Sequence, residues 1–251
     1  PAHLSRQEVE LPPADVLQTE HGPLWRRELR YPATHVHGRI KTDSGRHFDR
    51  ERLAKMAKSP SFTDLAAEEC LFLDTETTGL RVMEDKLCGI SLCCKPGRAF
   101  YIPVTVGGGG LMFGQNDRLD ADTVRTALAP LLANPATEKI GHNVKFDLLI
   151  LRNADFEVAG PFFDTMIAAH VLDSSRPSFK LDALSNSLLR HQCIPIFELI
   201  GRGKNQITFD QVPLDAAAPY AGEDADVTLR LAEIFRDELT TTGLDSLFRD
   251  L

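Results

Sequence analysis

The sequence of 251 residues lacks any long hydrophobic run. No apolar stretch reaches the roughly 18 residues that a membrane-spanning helix needs, so no membrane partner is expected. The opening residues, PAHLSRQEVE, also lack the apolar centre of a secretory signal, which predicts a cytoplasmic protein. With 43% hydrophobic and 25% charged residues, the composition is that of a globular chain.

Two common ligand motifs are also missing. None of the five cysteines forms a C-x-x-C pair, so a zinc site is not expected, and buried reduced thiols are the interpretation. The glycine run at 107–110 is not followed by the Gly-Lys-Ser/Thr of a phosphate loop, so it is predicted to be a flexible loop.

Charge is unevenly distributed. The net charge is −8, yet residues 22–58 hold ten Lys or Arg against four Asp or Glu, a local charge of +6. The rest of the chain is acidic, which suits a site that binds divalent cations. Residues 1–65, polar apart from a short helical pattern at 48–56, are interpreted as an N-terminal arm or linker, and 66–251 as the main domain. Whether the arm is a solvated linker or contacts a nucleic-acid backbone stays open.

The rest of the chain alternates between the two hydrophobic periods. Apolar runs bounded by turn residues predict strands at 70–74, 87–94, 98–105 and 138–141. Helical spacing predicts helices at 122–132, 143–152, 164–172, 180–190 and 215–238. Three strands followed by alternating helices and strands indicate an α/β fold with a mixed β-sheet.

The sharpest motif is LFLDTETTGL, in which Asp74 and Glu76 end an apolar strand. Side chains two positions apart lie on the same face of a strand. Two carboxylates held together repel each other unless a cation lies between them, and Mg²⁺ prefers oxygen ligands. The pair therefore predicts a metal site.

Two further acids stand in helical segments. Asp147 interrupts the apolar stretch VKFDLLIL, where an acid is unfavourable unless it is exposed or bound to a partner. Tyr220 and Asp224 are four positions apart and should share a helix face. The neighbouring acids Glu223 and Asp226 are predicted to be solvated or to lie in the N-terminal turn of the helix.

In their order and spacing, LFLDTETTGL, GHNVKFDLLIL and PYAGEDADVTLRLAEI resemble the three motifs of the DEDD exonucleases. The similarity covers about 71–251 and is greatest to the proofreading domain of bacterial (family A) DNA polymerase I. The resemblance implies a ribonuclease H-like fold. It also implies a 3′→5′ exonuclease that releases 5′-mononucleotides from DNA with two divalent ions, Mg²⁺ or Mn²⁺.

The resemblance also assigns roles to individual residues. The metal-binding acids would be Asp74, Glu76, Asp147 and Asp224. Tyr220 would orient the attacking water, which places the chain in the tyrosine subclass, since Pro219 stands where the histidine subclass has its histidine.

Substrate contacts are expected from a second set of residues. Leu80 and Phe197 would wedge against the terminal bases, and Asn143 would contact the terminal nucleotide. The other expected contacts are Thr75, His142 in place of the usual glutamine, and Lys180, with Arg176, Arg202 and Lys204 as alternative phosphate contacts. Asp164 is predicted to be a helix N-cap rather than a metal ligand.

Two alternatives stay open. A ribonuclease D-like 3′→5′ exoribonuclease would share all four acids and Tyr220, and a non-catalytic module would bind only DNA ends or a polymerase. The expected partners are DNA 3′ ends, single-stranded DNA and a separate polymerase, which implies a nucleoid location. No polymerase region is recognised, so the sequence fits either a free-standing exonuclease or a fragment of a longer polymerase.

Overall fold

The computed structural model describes residues 16–19, 22–25, 70–106 and 118–251. In the N-terminal region, β1 (Val16–Thr19) and β2 (Gly22–Trp25) pair as an antiparallel hairpin within the predicted arm. The predicted helical pattern at 48–56, the glycine run at 107–110 and most of the basic stretch lie outside the described residues.

The main domain is built on a five-stranded sheet, and the predicted mixed α/β architecture is confirmed. Its strands are β3 (Cys70–Thr77), β4 (Leu87–Lys95), β5 (Arg98–Pro103), β6 (Glu138–Gly141) and β7 (Phe162–Asp164). They are ordered β5-β4-β3-β6-β7. The three-strand meander is antiparallel, whereas β6 and β7 join it in parallel.

Seven α-helices lie in the described part of the chain. They are α1 (Ala121–Leu132), α2 (Val144–Asn153), α3 (Thr165–Leu172), α4 (Leu181–Leu184), α5 (Ile196–Ile200), α6 (Leu214–Thr242) and α7 (Asp245–Arg249). The helix predicted at 180–190 is α4 continued by a π-helical turn, Ser185–Leu189. None of the described helices is long and apolar enough to cross a membrane.

The sheet is packed on both faces because side chains alternate along its central strand. Leu71 and Leu73 point to one face, where they join a core with residues of α1 and α2. Phe72 points to the other face and packs with α3 and α6, including Phe235. The central strand is therefore buried in a three-layer arrangement.

The same alternation places the end of β3. Asp74 and Glu76 continue the Phe72 side, which is the side that α6 covers, whereas Thr75 continues the Leu73 side, which faces α2. The carboxyl end of β3 is thus approached by one helix from each face of the sheet.

Candidate active site

The polar end of β3 lies in the sheet opposite small residues of β4. Asp74 pairs with Ser91, and Glu76 pairs with Gly89. A Cβ atom added at Gly89 would lie 2.3 Å from the ring of Tyr101, so only glycine leaves room for that ring beside Glu76. The packing keeps Glu76 buried while Asp74 remains partly exposed.

Asp147 reaches the site through Thr75. The Thr75 backbone N–H and hydroxyl both donate to Asp147 Oδ1, at 3.0 and 2.7 Å. Asp147 itself is buried. Its position in an apolar helical stretch is thus explained by a bound partner, and these two hydrogen bonds join β3 to α2 at the acidic site.

The start of α2 is held by Asp164. Its carboxylate accepts from the backbone N–H groups of Asn143 and Val144, at 3.1 and 2.9 Å. It also accepts from Met166 N at 2.9 Å, so the predicted N-cap of α3 is confirmed. Asn143 adopts a left-handed conformation with φ of 68°. One carboxylate therefore fixes the N-termini of two helices and the turn that precedes Asp147.

Helix α6 contributes Tyr220 and Asp224 from successive turns. Burial and the nearby Asp224 carboxylate raise the pKa of the Tyr220 hydroxyl. Its ring packs beside Phe209, with 5.8 Å between the ring centroids. Pro219 precedes Tyr220 inside the helix and has no backbone N–H to donate. The four predicted acids and the tyrosine are thus brought together from β3, α2 and α6.

The acids perturb one another strongly. Burial and the neighbouring carboxylates Asp74, Asp224 and Asp147 raise the pKa of Glu76 well above its ordinary range. Burial, and then the charge of Asp74, raise the pKa of Asp147 and of Asp224 in the same direction. Burial also raises the pKa of Asp74 to about 7, against a hydrogen bond from Thr75. The cluster is therefore electrostatically unfavourable without a compensating cation.

The donor set fits hard divalent cations. All ligand atoms are carboxylate oxygens, as Mg²⁺ prefers, and Glu76 Oε1 is buried without a hydrogen-bond partner in the structure. Among the described residues, the ligand atoms of His191, Cys193 and Glu223 all lie within 4.8 Å of one another, whereas no three of the four acids are that close together. The four acids thus span a wider space than one ion needs, which suits ions that each use a few carboxylates and leave positions for substrate oxygens.

Two expected wedge residues are solvent-exposed. Leu80, in the turn after β3, is 87% exposed, and Phe197, on α5, is 40% exposed. The Arg202 guanidinium lies over the Phe197 ring, 3.6 Å from its centroid. Met83, 77% exposed in the same turn as Leu80, was not selected from the sequence, where an isolated methionine carries no periodic signal.

Three further residues are expected to contact the substrate, namely His142, Thr75 and Lys180. His142 Nδ1 lies 2.9 Å from Thr165 Oγ1, and burial lowers the pKa of the ring. Thr75 is buried, and its hydroxyl donates a hydrogen bond to Asp147. Lys180 is exposed and immediately precedes α4. Their contacts to a nucleotide stay predictions.

The expectation that Glu223 and Asp226 are solvated or lie in the first turn of their helix is wrong, since α6 begins at Leu214 and both acids are buried. Glu223 is 3% exposed and accepts from Ile194 N at 2.5 Å, with His191 Nε2 at 2.9 Å. Asp226 is fully buried, and its carboxylate accepts from Gly97 N and from Arg230 Nε. Both acids fasten α6 to distant segments, which helical spacing alone does not reveal.

Comparison with known proteins agrees with this geometry. A family model described as a 3′-5′ exonuclease matches residues 51–240. DNA polymerase I of Pseudomonas aeruginosa is 38% identical over 177 residues, which are 70% of this chain and 19% of that protein. DNA polymerase I of Chloroflexus aurantiacus is 42% identical over 166 residues, 66% of this chain and 17% of that protein. The chain thus spans about a fifth of the length of these relatives.

Solved structures share the fold at lower identity. NrnC of Brucella melitensis bound to pGG superposes with a TM-score of 0.58 at 23% identity, covering 74% of this chain and 81% of that one. RNase D of Escherichia coli superposes with a TM-score of 0.56 at 18% identity, covering 80% of this chain and 46% of that one. The ribonuclease H-like arrangement of sheet and helices is common to all three.

Proposed function

Because this chain belongs to the 3′-5′ exonuclease domain family of bacterial DNA polymerase I, we propose that it hydrolyses phosphodiester bonds one nucleotide at a time from the 3′ end of DNA. The products are a 5′-mononucleotide and a strand shortened by one residue. In biological terms, this is the removal of mispaired or frayed 3′ ends, which is proofreading.

The observation that carries the proposal is the convergence of four acids and one tyrosine on the end of β3. Asp147 accepts a hydrogen bond from Thr75, and the Asp224 carboxylate lies near the Tyr220 hydroxyl. A site used only to bind phosphate would place cationic groups there, and four buried or half-buried carboxylates would repel a DNA strand. Such a cluster can bind DNA when divalent cations lie between its carboxylates and the phosphate.

Two divalent cations, Mg²⁺ or Mn²⁺, would be held by Asp74, Glu76, Asp147 and Asp224. When bound, they supply phosphate charge neutralisation and acidification of water. Tyr220, one helical turn before Asp224 on α6, would hold the attacking water in line with the scissile bond. The water oxygen joins phosphorus, the bond from phosphorus to the 3′ oxygen breaks, and that oxygen ends protonated on the shortened strand.

The exposed apolar residues would make the enzyme recognise the end of a DNA strand rather than a base sequence. Leu80 and Phe197 would stack against or separate the last bases, and every base offers a face for such contacts. Asn143 and His142 would contact the terminal nucleotide, and Lys180 a backbone phosphate. The preferred partners are therefore single-stranded DNA and frayed DNA 3′ ends, with a separate polymerase as the source of such ends.

A direct test uses one oligonucleotide of single-stranded DNA labelled at either end. With Mg²⁺, a 3′-label should appear at once as a mononucleotide, whereas a 5′-label should pass through a ladder of shortened strands. Chelation of the metal should stop both reactions. Release of the 5′-label as the first product, or endonucleolytic fragments, would overturn the proposal.

The same assay with RNA of equal sequence decides the substrate class. We expect faster turnover of DNA because the relatives that share 38–42% identity are DNA polymerases. Faster turnover of RNA would assign the chain a ribonuclease D-like activity instead. Binding of 3′ ends without hydrolysis in the presence of Mg²⁺ and Mn²⁺ would identify a non-catalytic module.

A further inference from the structure

A second group of metal-ligating side chains lies outside the acidic cluster. One nitrogen of His191, the thiol sulfur of Cys193 and one carboxylate oxygen of Glu223 all lie within 4.8 Å of one another. His191 Nε2 and Glu223 Oε1 are 2.9 Å apart. The three side chains therefore converge on one point from two separate elements of the fold.

The fold holds these groups in place. His191 and Cys193 lie in the segment between the π-helical turn and α5, and Glu223 faces them from α6. The second carboxylate oxygen of Glu223 accepts from Ile194 N at 2.5 Å, which leaves Oε1 directed at His191. The Ser185 hydroxyl donates to the backbone carbonyl of His191 at 3.0 Å. Such outer hydrogen bonds are what orients the ligands of protein metal sites.

We propose that His191, Cys193 and Glu223 form a binding site for one thiophilic divalent cation, with Zn²⁺ as the expected ion. A nitrogen, a sulfur and an oxygen ligand together match the borderline-soft character of Zn²⁺ and are a poor set for Mg²⁺. Three protein ligands leave the fourth tetrahedral position to water. The ion replaces the hydrogen bond between His191 and Glu223, while the bond from Ile194 N to Glu223 persists.

The surroundings favour a cation over a free thiolate. Cys193 and Glu223 are buried, and His191 keeps 19% of its side chain exposed, which gives an ion its approach. Burial and the negative charges of Asp224, Glu223 and Asp182 raise the pKa of Cys193 to about 12, so the thiol alone stays protonated. The same negative charges attract a divalent ion, and coordination removes the thiol proton.

This site does not depend on the catalytic proposal. Its ligands are not among the four acids, and its chemistry is distinguishable because only this group contributes sulfur. The absence of a C-x-x-C pair had predicted no zinc site, but here the ligands come from two segments 30 residues apart, counted from Cys193 to Glu223.

The test is Co²⁺ binding to the metal-free full chain, with excess Mg²⁺ present to occupy carboxylate-only sites. A thiolate ligand gives Co²⁺ an intense near-ultraviolet charge-transfer band, and oxygen ligands do not. We expect this band at one Co²⁺ per chain, and Zn²⁺ should abolish it by displacement. Absence of the band in the parent chain overturns the proposal.

Variants identify the ligands. Cys193→Ser, nearly isosteric, should abolish the band, and His191→Gln should weaken Co²⁺ affinity by more than the roughly 10–100-fold typical of outer-shell losses. Cys88→Ser is the matched control, since Cys88 is also buried but lies beside Glu76, and it should keep the band. A band that survives Cys193→Ser, or one lost only in Cys88→Ser, would overturn the assignment. Circular dichroism of each variant verifies that the fold is retained.

Discussion

At the scale of single residues, the site depends on acids that disfavour one another. Asp74→Ala or Asp224→Ala should lower hydrolysis by at least the ~10²–10⁴ range of a catalytic group, while the metal-free chain keeps or gains stability because repulsion is relieved. End-labelled DNA assays and urea unfolding measure the two effects. Glu157→Ala, an exposed acid away from the cluster, is the control. Retention of more than about a tenth of the parent rate would contradict the role assigned to these acids.

Tyr220 should separate chemistry from metal binding. Tyr220→Phe removes the hydroxyl near Asp224 but none of the carboxylates. Turnover should fall by about 10²-fold or more, whereas Mn²⁺ affinity by isothermal titration and single-strand affinity stay close to those of the parent chain. A collapse of Mn²⁺ affinity in this variant would show that the hydroxyl supports the ions instead of the water.

The perturbed acids also set a pH dependence of stability. Because the pKa of Asp74 is raised from 3.8 to about 7, the folded metal-free chain binds this proton more tightly than the unfolded chain. The contribution of Asp74 to the free energy of unfolding is therefore present at acid pH and is lost as pH rises from about 4 toward 7. Urea unfolding in that window, compared between the parent chain and Asp74→Asn, isolates the contribution. A parent chain that gains stability relative to Asp74→Asn with rising pH would refute it, and Mg²⁺ should restore stability at neutral pH by binding the folded state.

The individual residues of the acidic site were accessible from the sequence because their signals are local. Asp74 and Glu76 are two apart on a strand, and Tyr220 and Asp224 are four apart on a helix. The partners of Glu223 and Asp226 were not accessible in this way. They are His191, 32 positions away, and Gly97, 129 positions away, and only the folded chain brings them together.

At the scale of secondary-structure elements, α6 is the support on which the site rests. Asp226→Ala removes the acceptor for Gly97 N–H in the turn between β4 and β5. An unsatisfied buried donor of this kind lowers the free energy of unfolding by about 1–3 kcal/mol. Urea unfolding of Asp226→Ala beside Glu233→Ala, an exposed acid of the same helix, measures the difference. Equal stabilities would show that this connection contributes nothing.

Long elements and the short strand β6 were predicted well, whereas β7 and α5 were missed. Helices α1, α2, α3 and α6 follow their apolar periods to within a few residues. Strand β7 has three residues and α5 has five, too few for a period to register. Their positions are decided by neighbours, namely the parallel pairing of β7 with β6 and the packing of α5 beside α6.

At the scale of the whole molecule, a net charge of −8 coexists with a local +6 at residues 22–58. If this basic stretch contacts the DNA backbone, Arg26, Arg27 and Arg30 changed together to Gln should weaken single-strand binding. The slope of log affinity against log salt should become shallower by about 0.7 per lost phosphate contact. Binding is measured with Ca²⁺ in place of Mg²⁺ to suppress cleavage. The control is Arg249→Gln, at an exposed residue of α7. Unchanged affinity and slope would favour the solvated linker.

The bonds from Thr75 to Asp147 join residues 72 positions apart, and Asp74 is separated from Asp224 by 150 positions. Contacts of such sequence separation form only after long loops close, which makes them slow to appear during folding. Because synthesis proceeds from the N-terminus, a nascent chain contains Asp74 and Glu76 long before Asp224 has been added. Nuclease activity should appear abruptly, on release and folding of α6, and a nascent chain should leave nearby nucleic acid intact.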